Sequence, residues 1–216
     1  MKYIISAICC LLALQGLSQP MRHEIVSKGI LSSTRKSPDV EIKTYYGRDG
    51  NDSIVFVNGK LAFTYKWQEL PNGKPSLVRF DEKQREDEWH MFTFYADSSF
   101  DIEIIAFGAG TISTSRYAKD HRQLYYIDAS SDTSWLHYTS SGKLEKIIQS
   151  RRGKDTVVYR SSFNKKGQIE SIHFTTGPSI GCNENEYGLI SEILEYLDEK
   201  KKRESAIITK ITYEFY

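Results

Sequence analysis

From residue 40 onward, apolar and polar residues alternate along the chain with a period of two, which is the pattern of strands that bury one face. The alternation is clear in segments 54–57 and 60–67. Asn58-Gly59 lies between them, and an Asn-Gly pair suits the type I′ turn, whose two central residues have positive φ. We therefore predict a β-hairpin centred on Asn58-Gly59.

Short alternating segments recur as far as residue 176, at spacings of roughly 8 to 15 residues, with turn-forming residues between them. Connections of this length join neighbouring strands antiparallel, which excludes a parallel βαβ fold. Besides the hairpin, the predicted strands are 40–46, 76–81, 89–95, 100–107, 111–117, 122–127, 134–139, 143–150, 155–162 and 168–176.

One later segment departs from the period of two. Tyr187, Ile190 and Leu194 recur at helical spacing, which predicts an apolar stripe on a helix. Asn183, followed three residues later by Glu186, is a variant of the capping box that begins many helices. We predict a helix over about 185–203, followed by a strand that ends the chain.

The predicted fold class is mainly β: an antiparallel meander sheet, curled or elongated, with one C-terminal α-helix packed on it and a final strand. Residues 39–216 are long enough to form this as a single domain with its own core. Residues 19–38 are polar and weakly patterned, so we predict a poorly ordered lead-in there.

The first 18 residues have the pattern of a secretory signal peptide. Lys2 precedes an apolar run over 4–14, and Gly16-Leu17-Ser18 places small residues before a cleavage point after Ser18. Cys9 and Cys10 in that run leave a lipid or uncleaved anchor as the alternative. We expect an exported protein, periplasmic, cell-surface or extracellular, with no transmembrane segment after cleavage.

Charge and cysteine content narrow the function further. The chain has 29 Lys and Arg against 28 Asp and Glu, so loss of Lys2 leaves 28 against 28. Without a basic excess, nucleic acid is not an expected partner. Of the three cysteines, only Cys182 lies beyond the signal, so no intrachain disulfide is expected in the mature chain. A lone thiol of this kind is typical of a small core residue.

No catalytic, cofactor-binding or metal-binding residues are predicted. The five histidines have none of the close spacings of a zinc site. Gly177-Pro-Ser179-Ile-Gly181 matches the string of a nucleophile elbow, but that motif needs a histidine after its serine, and every histidine precedes Ser179. We therefore predict a protein that is not an enzyme.

Aromatic residues are the candidates for a ligand or partner surface, against the alternative of core and cross-strand packing. The candidate set is Trp67, Trp89, Tyr125, Tyr126 and Trp135. The expected partners are a protein, a glycan or an apolar ligand.

The chain repeats itself once with clarity. Tyr138, Gly142 and Leu144 recur in type and spacing as Phe163, Gly167 and Ile169, 25 residues later. These units resemble the variant MORN repeats of the YwqK type and, more loosely, YD-type repeats, in which hairpins stack into a continuous sheet. The resemblance covers about a quarter of the chain. It implies a scaffold or binding role and no catalytic residues.

Three functions follow from these observations. The first is a secreted, non-enzymatic binding or interaction module built on a β-sheet. The second is an immunity or antitoxin partner of a toxin, as in some proteins of the resembled families. The third is a periplasmic carrier that holds an apolar ligand in a half-barrel cavity, which requires an inward cavity between sheet and helix of roughly 300 Å³ or more.

Overall fold

A computed structural model describes residues 21–108, 110–175, 180–196 and 206–216. In these ranges the chain forms one short helix, α1 (Arg22–Lys28), and sixteen strands that close into an antiparallel barrel. The strands are β1 (Ile30–Lys36), β2 (Glu41–Tyr46), β3 (Asp52–Val57), β4 (Lys60–Glu69), β5 (Pro75–Phe80), β6 (Glu86–Phe94), β7 (Phe100–Ala106), β8 (Gly110–Tyr117), β9 (Gln123–Asp128), β10 (Thr133–Tyr138), β11 (Leu144–Arg151), β12 (Lys154–Phe163), β13 (Ile169–Phe174), β14 (Ile180–Glu184), β15 (Ile190–Tyr196) and β16 (Ala206–Phe215).

The barrel closes because the first strand pairs with the last. β1 and β16 run antiparallel in register from Ile30 opposite Phe215 to Lys36 opposite Lys210. Every other strand pairs with its two neighbours in sequence. The prediction of an open meander sheet is therefore wrong. Strand-by-strand alternation is the same in an open and a closed sheet, and only the long-range pairing of β1 with β16 removes the edges.

The predicted C-terminal helix packed on the sheet is also wrong. Ile190–Tyr196 is a strand, whose Ile193 lies opposite Cys182 and whose Leu194 lies opposite Gly181. Both Ile193 and Leu194 are buried, so the strand has apolar residues on both faces, and this spacing mimics a helical stripe. Residues 197–203 of the predicted helix lie outside the described residues.

The segment before β15 is a turn. The side chain of Asn185 accepts hydrogen bonds of 3.0 Å from the backbone amides of Tyr187 and Leu189, and Gly188 has a φ of +70°. An asparagine that bonds to amides two and four residues ahead stabilises a turn as readily as a helix start. The polar residues that predicted a helix cap therefore belong to a hairpin.

The predicted lead-in is structured from residue 21 onward. Arg22–Lys28 forms α1, which ends at Gly29 with φ +64°, and β1 follows directly. At the start of α1, the amide of Met21 donates a 3.0 Å hydrogen bond to the carboxylate of Glu24. The predicted signal peptide, residues 1–18, lies outside the described residues.

The hairpin at Asn58-Gly59 is confirmed. Asn58 and Gly59 have φ values of +50° and +74°, and β3 pairs with β4 across them. The two repeat copies are also successive hairpins, β10–β11 and β12–β13, whose turns at Gly142 and Gly167 have positive φ.

That repeat extends around the barrel. At one end of the described barrel, seven turns share a hydrogen bond from the amide of the fourth residue to the carbonyl of the first, with positive φ at the fourth residue. They span 47–50, 70–73, 95–98, 118–121, 139–142, 164–167 and 185–188. The chain thus repeats one hairpin unit along its length, with Ser98 and His121 in place of glycine at two positions.

α1 lies at this same end, which we call the helix end. Ile25 packs with Ile30, Tyr46 and Leu189 at the junction of β1, β2 and the 185–188 turn.

The barrel interior, here called the lumen, differs between its two sides. On the β11–β16 side it holds an apolar core of Leu144, Tyr159, Ile172, Ile180, Cys182, Ile193 and Ile211. On the β2–β8 side it holds a cavity.

Candidate functional site

A cavity of about 450 Å³ lies in the lumen beneath α1. Its wall comes from α1, the 47–51 turn and strands β2 to β8, and combines apolar with polar side chains. The lining residues are Arg22, Ile25, Tyr46, Gly50, Asn51, Asp52, Tyr65, Leu77, His90, Ile102, Ile104, Ser115 and Tyr117. Because side chains alternate along a strand, these residues define the inward positions of their strands.

Arg22 anchors α1 over this cavity. Its guanidinium donates to the side-chain oxygen of Asn51 at 2.6 Å, to the backbone carbonyl of Asp49 at 3.0 Å and to Nδ1 of His121 at 3.3 Å. The guanidinium carbon also lies 5.1 to 5.7 Å from three ring centroids, those of Phe92, Phe100 and Tyr117. A buried cation is stabilised by such hydrogen bonds and ring faces. Burial still lowers the pKa of Arg22 from its usual value.

Gly50 lets α1 approach the 47–50 turn. Its φ is +77°, and a Cβ placed there would lie 2.8 Å from Cγ2 of Val26 and 2.9 Å from Cγ of Arg22. Those distances are far below ordinary contact, so the close approach of the helix requires glycine.

Asp52 is the carboxylate of the cavity wall. It begins β3 opposite Tyr46, at a bulge in the β2–β3 pairing, and is deeply enclosed by protein while remaining open to the cavity. No side chain or amide among the described residues donates a hydrogen bond to its carboxylate. Desolvation raises the pKa of Asp52 to about 6, opposed by the positive charges of His90, Arg22 and Arg79.

A hydrogen-bonded series of side chains runs from the cavity toward the end of the barrel opposite α1. Its members are His90, Glu88, Arg79 and Asp87. Nε2 of His90 lies 2.5 Å from Oε1 of Glu88, and Oε2 of the same carboxylate lies 3.2 Å from a guanidinium nitrogen of Arg79. Arg79 also donates to Asp87 at 2.9 Å. The ring of His90 lies 5.9 Å from that of Tyr65. Glu88 is thereby compensated on both oxygens, in contrast to Asp52.

Three tyrosines complete the polar part of the wall. Tyr46 shares a 2.6 Å hydrogen bond with the hydroxyl of Ser33, while Tyr65 and Tyr117 face it from β4 and β8. Burial raises the pKa of all three phenols, so they are neutral at physiological pH and present hydroxyl groups and ring faces to the cavity.

The five predicted surface aromatics do not form one surface. Tyr125 and Trp135 lie opposite each other on β9 and β10 with ring centroids 5.0 Å apart, and Trp135 is exposed. Trp89 packs against Phe107 at 4.9 Å. These pairs lie on the outer wall, because Trp89 alternates with the cavity residue His90 and Trp135 alternates with the buried Ser134.

The other two predicted aromatics face the lumen side. Trp67 lies opposite the cavity residue Leu77, packs against Phe92 at 4.8 Å and donates from Nε1 to the Asp49 carboxylate at 3.1 Å. It also borders an open groove with Gln68, Glu69, Gly73 and Pro75. Tyr126 lies opposite the inward Ser134.

The sequence prediction missed Arg22, Asp52 and His90, three polar side chains that line the cavity. Arg22 lay in the segment taken for a lead-in, and Asp52 lay beside a turn, where a carboxylate is ordinarily solvated. Only the position of His90 could have been found from the sequence. The predicted strand Trp89–Tyr95 places His90 on the same face as Phe92 and Phe94, which indicates that His90 points inward.

The described ranges contain neither a metal-binding cluster nor a helix that could cross a bilayer. No group of three or more His, Cys, Asp or Glu side chains there is arranged to hold a metal ion. Nor does any helix in those ranges have the length and apolar character needed to cross a bilayer. Ser179 lies outside the described residues.

No family model matches this sequence, and neither does any curated protein. Among solved structures, a porin-like protein from Bacteroides uniformis aligns with a TM-score of 0.41 and 6% identity, over 87% of this chain and 98% of that one. The Tc holotoxin pore of Photorhabdus luminescens aligns with a TM-score of 0.28 and 10% identity, over 76% of this chain but only 11% of that one. Likenesses of this strength say nothing about what the cavity binds, which depends on the residues that line it.

Proposed function

We propose that this protein is an exported, non-enzymatic binding protein that holds a small polar molecule in the barrel lumen beneath α1. The observation that carries the proposal is the cavity of about 450 Å³ with Asp52 in its wall. Its volume is in the range of small-molecule sites, which are about 300 to 1,000 Å³.

The unpartnered carboxylate argues for a ligand that supplies hydrogen bonds. The Asp52 carboxylate is half-buried and receives no hydrogen bond from the described residues, and an enclosed polar group without a partner costs free energy that a ligand with donors can offset. Arg22, Tyr65 and Tyr117 add further donors around the same space. An entirely apolar ligand would leave Asp52 uncompensated, so the lining favours a polar ligand over the apolar cargo of a half-barrel carrier.

The cavity contains groups found in enzymes but not their usual arrangement. Its serine, Ser115, accepts a 2.9 Å hydrogen bond from the side chain of Gln123 rather than bonding to a histidine. His90 is held by Glu88, and Cys182 lies in the apolar core on the other side of the lumen. This arrangement supports binding rather than nucleophilic catalysis.

Charged side chains on the outer wall of the barrel favour a protein that acts in water rather than in a bilayer. Lys43 and Glu214 pair at 3.1 Å across the β1–β2 and β1–β16 surface, and Arg116 pairs with Asp101 on β8 and β7. These residues alternate with the inward Thr44, Ile102 and Ser115. A membrane-spanning barrel instead presents an apolar band about 25 Å tall. With the signal-like residues 1–18, this supports export to an aqueous compartment.

Filling the cavity tests the proposal. Ser115→Phe places a ring in the lumen, whereas Thr114→Phe places the same ring on the outer wall of the same strand. A panel of small amines, carboxylates, amino acids, sugars and alcohols would be screened by ligand-observed NMR against the wild type and both variants. We expect at least one class to bind the wild type and Thr114→Phe but not Ser115→Phe.

Identical binding profiles for the two variants would contradict luminal binding. Circular dichroism and the unfolding midpoint of Ser115→Phe would establish that the barrel remains folded, because loss of the Gln123 hydrogen bond is itself expected to cost about 1 kcal/mol.

A further inference from the structure

Two opposite charges face the cavity from different elements without forming an ion pair. Arg22 projects from α1 and Asp52 from the start of β3. Each affects the pKa of the other through space, yet no ion pair joins them among the described contacts. Both residues line the cavity.

Arg22 has hydrogen-bonding capacity to spare. A guanidinium carries five N–H groups. Three of them donate to the side chain of Asn51, the backbone carbonyl of Asp49 and Nδ1 of His121. None of these three acceptors is a carboxylate. The two remaining N–H groups have no acceptor in the described part of the chain. The contacts already made hold the guanidinium in place, so binding a further acceptor costs little side-chain entropy.

Asp52 has more unused hydrogen-bonding positions than Arg22. A carboxylate offers about four acceptor positions, and none receives a donor from the described residues. The neighbouring His90 is committed to Glu88 at 2.5 Å, and Arg79 to Glu88 and Asp87. Neither side chain is therefore free to turn toward Asp52.

We propose that the lumen binds a small zwitterion of the amino-acid class, whose ammonium group pairs with Asp52 and whose carboxylate pairs with Arg22. This inference rests on the proposed luminal binding and names the class of ligand. A simple cation would be repelled by Arg22, a simple anion by Asp52, and a neutral molecule would leave both charges uncompensated. A dipolar molecule satisfies both, in the manner of charge-assisted hydrogen bonds.

The remainder of the wall suits an apolar or aromatic side chain on that zwitterion. Leu77, Ile102 and Ile104 provide an apolar patch, with the rings of Tyr65 and Tyr117 beside it. The cavity of about 450 Å³ has room for a large amino acid. Sites of this kind combine an apolar lining with a few polar groups that orient the ligand.

Two series of probes separate the contribution of each charge. The first is L-phenylalanine, phenethylamine and 3-phenylpropionate, and the second is L-leucine, 3-methylbutylamine and 4-methylpentanoate. Within a series the side chain is constant, and the carboxylate or the amine is removed. Titration calorimetry on the purified full chain at pH 7.5 would measure each affinity. In at least one series we expect the zwitterion to bind at least tenfold more tightly than either truncated probe.

Asp52→Asn, Asp155→Asn and Ser115→Phe complete the experiment. Asp52→Asn should weaken zwitterion binding at least tenfold and leave the affinity of the carboxylate probe unchanged or higher. Asp155 is an exposed residue on β12, so Asp155→Asn should bind as the wild type does.

The proposal is overturned if the zwitterion has no advantage over its truncated probes in both series, or if no compound of either series binds at millimolar concentration. If other panel members still bind the wild type and not Ser115→Phe, luminal binding stands and only the zwitterion class falls. If the zwitterion binds Ser115→Phe as well as the wild type, both proposals fail.

Discussion

Nζ of Lys143 lies 2.7 Å from both carboxylate oxygens of Glu184, whose side chain is only 1% exposed. Glu184 also accepts a 2.7 Å hydrogen bond from the amide of Ile169, and Lys143 donates to the carbonyl of Gly167 at 2.9 Å. This one ion pair therefore ties three successive hairpins, β10–β11, β12–β13 and β14–β15, together at the helix end.

Removing the lysine should strongly destabilise the barrel. Lys143→Met leaves Glu184 buried without its cation, and breaking a buried pair in this way costs about 3 to 5 kcal/mol. Lys36→Met is the matched control, because Lys36 and Glu41 form an ion pair of 3.3 Å at the surface, with side chains 71% and 42% exposed. That substitution should cost under about 1 kcal/mol. Urea unfolding measures both values, and equal losses would show that Glu184 does not depend on Lys143.

Gly50 and Gly59 provide a second matched pair. Both have φ near +75°, so alanine at either position meets the same backbone strain of about 1 to 2 kcal/mol. Only at Gly50 would the new methyl group meet other atoms, those of Val26 and Arg22 on α1; at Gly59 nothing lies within 4 Å. Gly50→Ala should therefore lose more stability than Gly59→Ala, by about 1 kcal/mol or more.

The extra loss at Gly50 should be localised to α1. Hydrogen exchange would show faster exchange of the α1 amides in Gly50→Ala than in Gly59→Ala. If the two variants match in stability and in α1 exchange, the packing of the helix against the 47–50 turn does not hold it in place.

Asp52 should make stability depend on pH. Its pKa is about 6 in the folded chain and about 3.8 when unfolded, so the folded state binds more protons between these values. The free energy of unfolding contributed by this group therefore falls as pH rises from 4 to 6 and stays low above 6. Asp52→Asn removes this penalty and should raise the free energy of unfolding at pH 8 by up to about 3 kcal/mol.

The gain from Asp52→Asn should shrink below pH 6 and be small at pH 4, where the aspartic acid is protonated in the folded state and about half protonated in the unfolded state. Denaturant unfolding at pH 4, 6 and 8 measures this. Asp155→Asn, at an exposed position on β12, is the matched control. A gain that is constant across the three pH values would mean that the carboxylate of Asp52 is not strained by burial.

Cys182 should be unreactive in the folded protein. It is buried in the apolar core beside Ile180 and Ile193, and desolvation raises the pKa of its thiol to about 12. Since the thiolate is the reactive form, a thiol reagent at pH 8 should label it only after denaturant unfolds the chain. Rapid labelling of the native protein would show that this side of the lumen opens in solution.

Several local elements were predictable because their signals are short in range. Asn58-Gly59 specified its hairpin through backbone preferences of two residues, and Gly142 and Gly167 marked two further turns of the repeat. Two of the remaining copies were hidden, because Ser98 and His121 occupy the positive-φ position where glycine would have revealed the unit. A polar residue adopts that conformation at modest cost when the turn is otherwise well bonded.

The helix predicted over 185–203 shows that the spacing of apolar residues does not always distinguish a helix from a strand. Ile193 and Leu194 are adjacent and both buried, one toward the core and one opposite Gly181 on the other face. A strand buried on both faces and a helix with a broad apolar stripe place apolar residues at similar spacings. On the outer face the hydroxyl of Tyr196 lies close to Gly181, the residue opposite Leu194, and that contact belongs to the folded barrel.

The sequence by itself determined an antiparallel, hairpin-built β protein, because turn chemistry and the period of two are properties of neighbouring residues. Closure of the barrel depended on β1 meeting β16, nearly the whole described chain apart. The cavity depended on α1 bringing Arg22 opposite Asp52, Tyr65 and Tyr117. Such contacts join residues far apart in sequence, whose charges and burial acquire meaning only when the strands are assembled, so the tertiary structure alone decided where a ligand would bind.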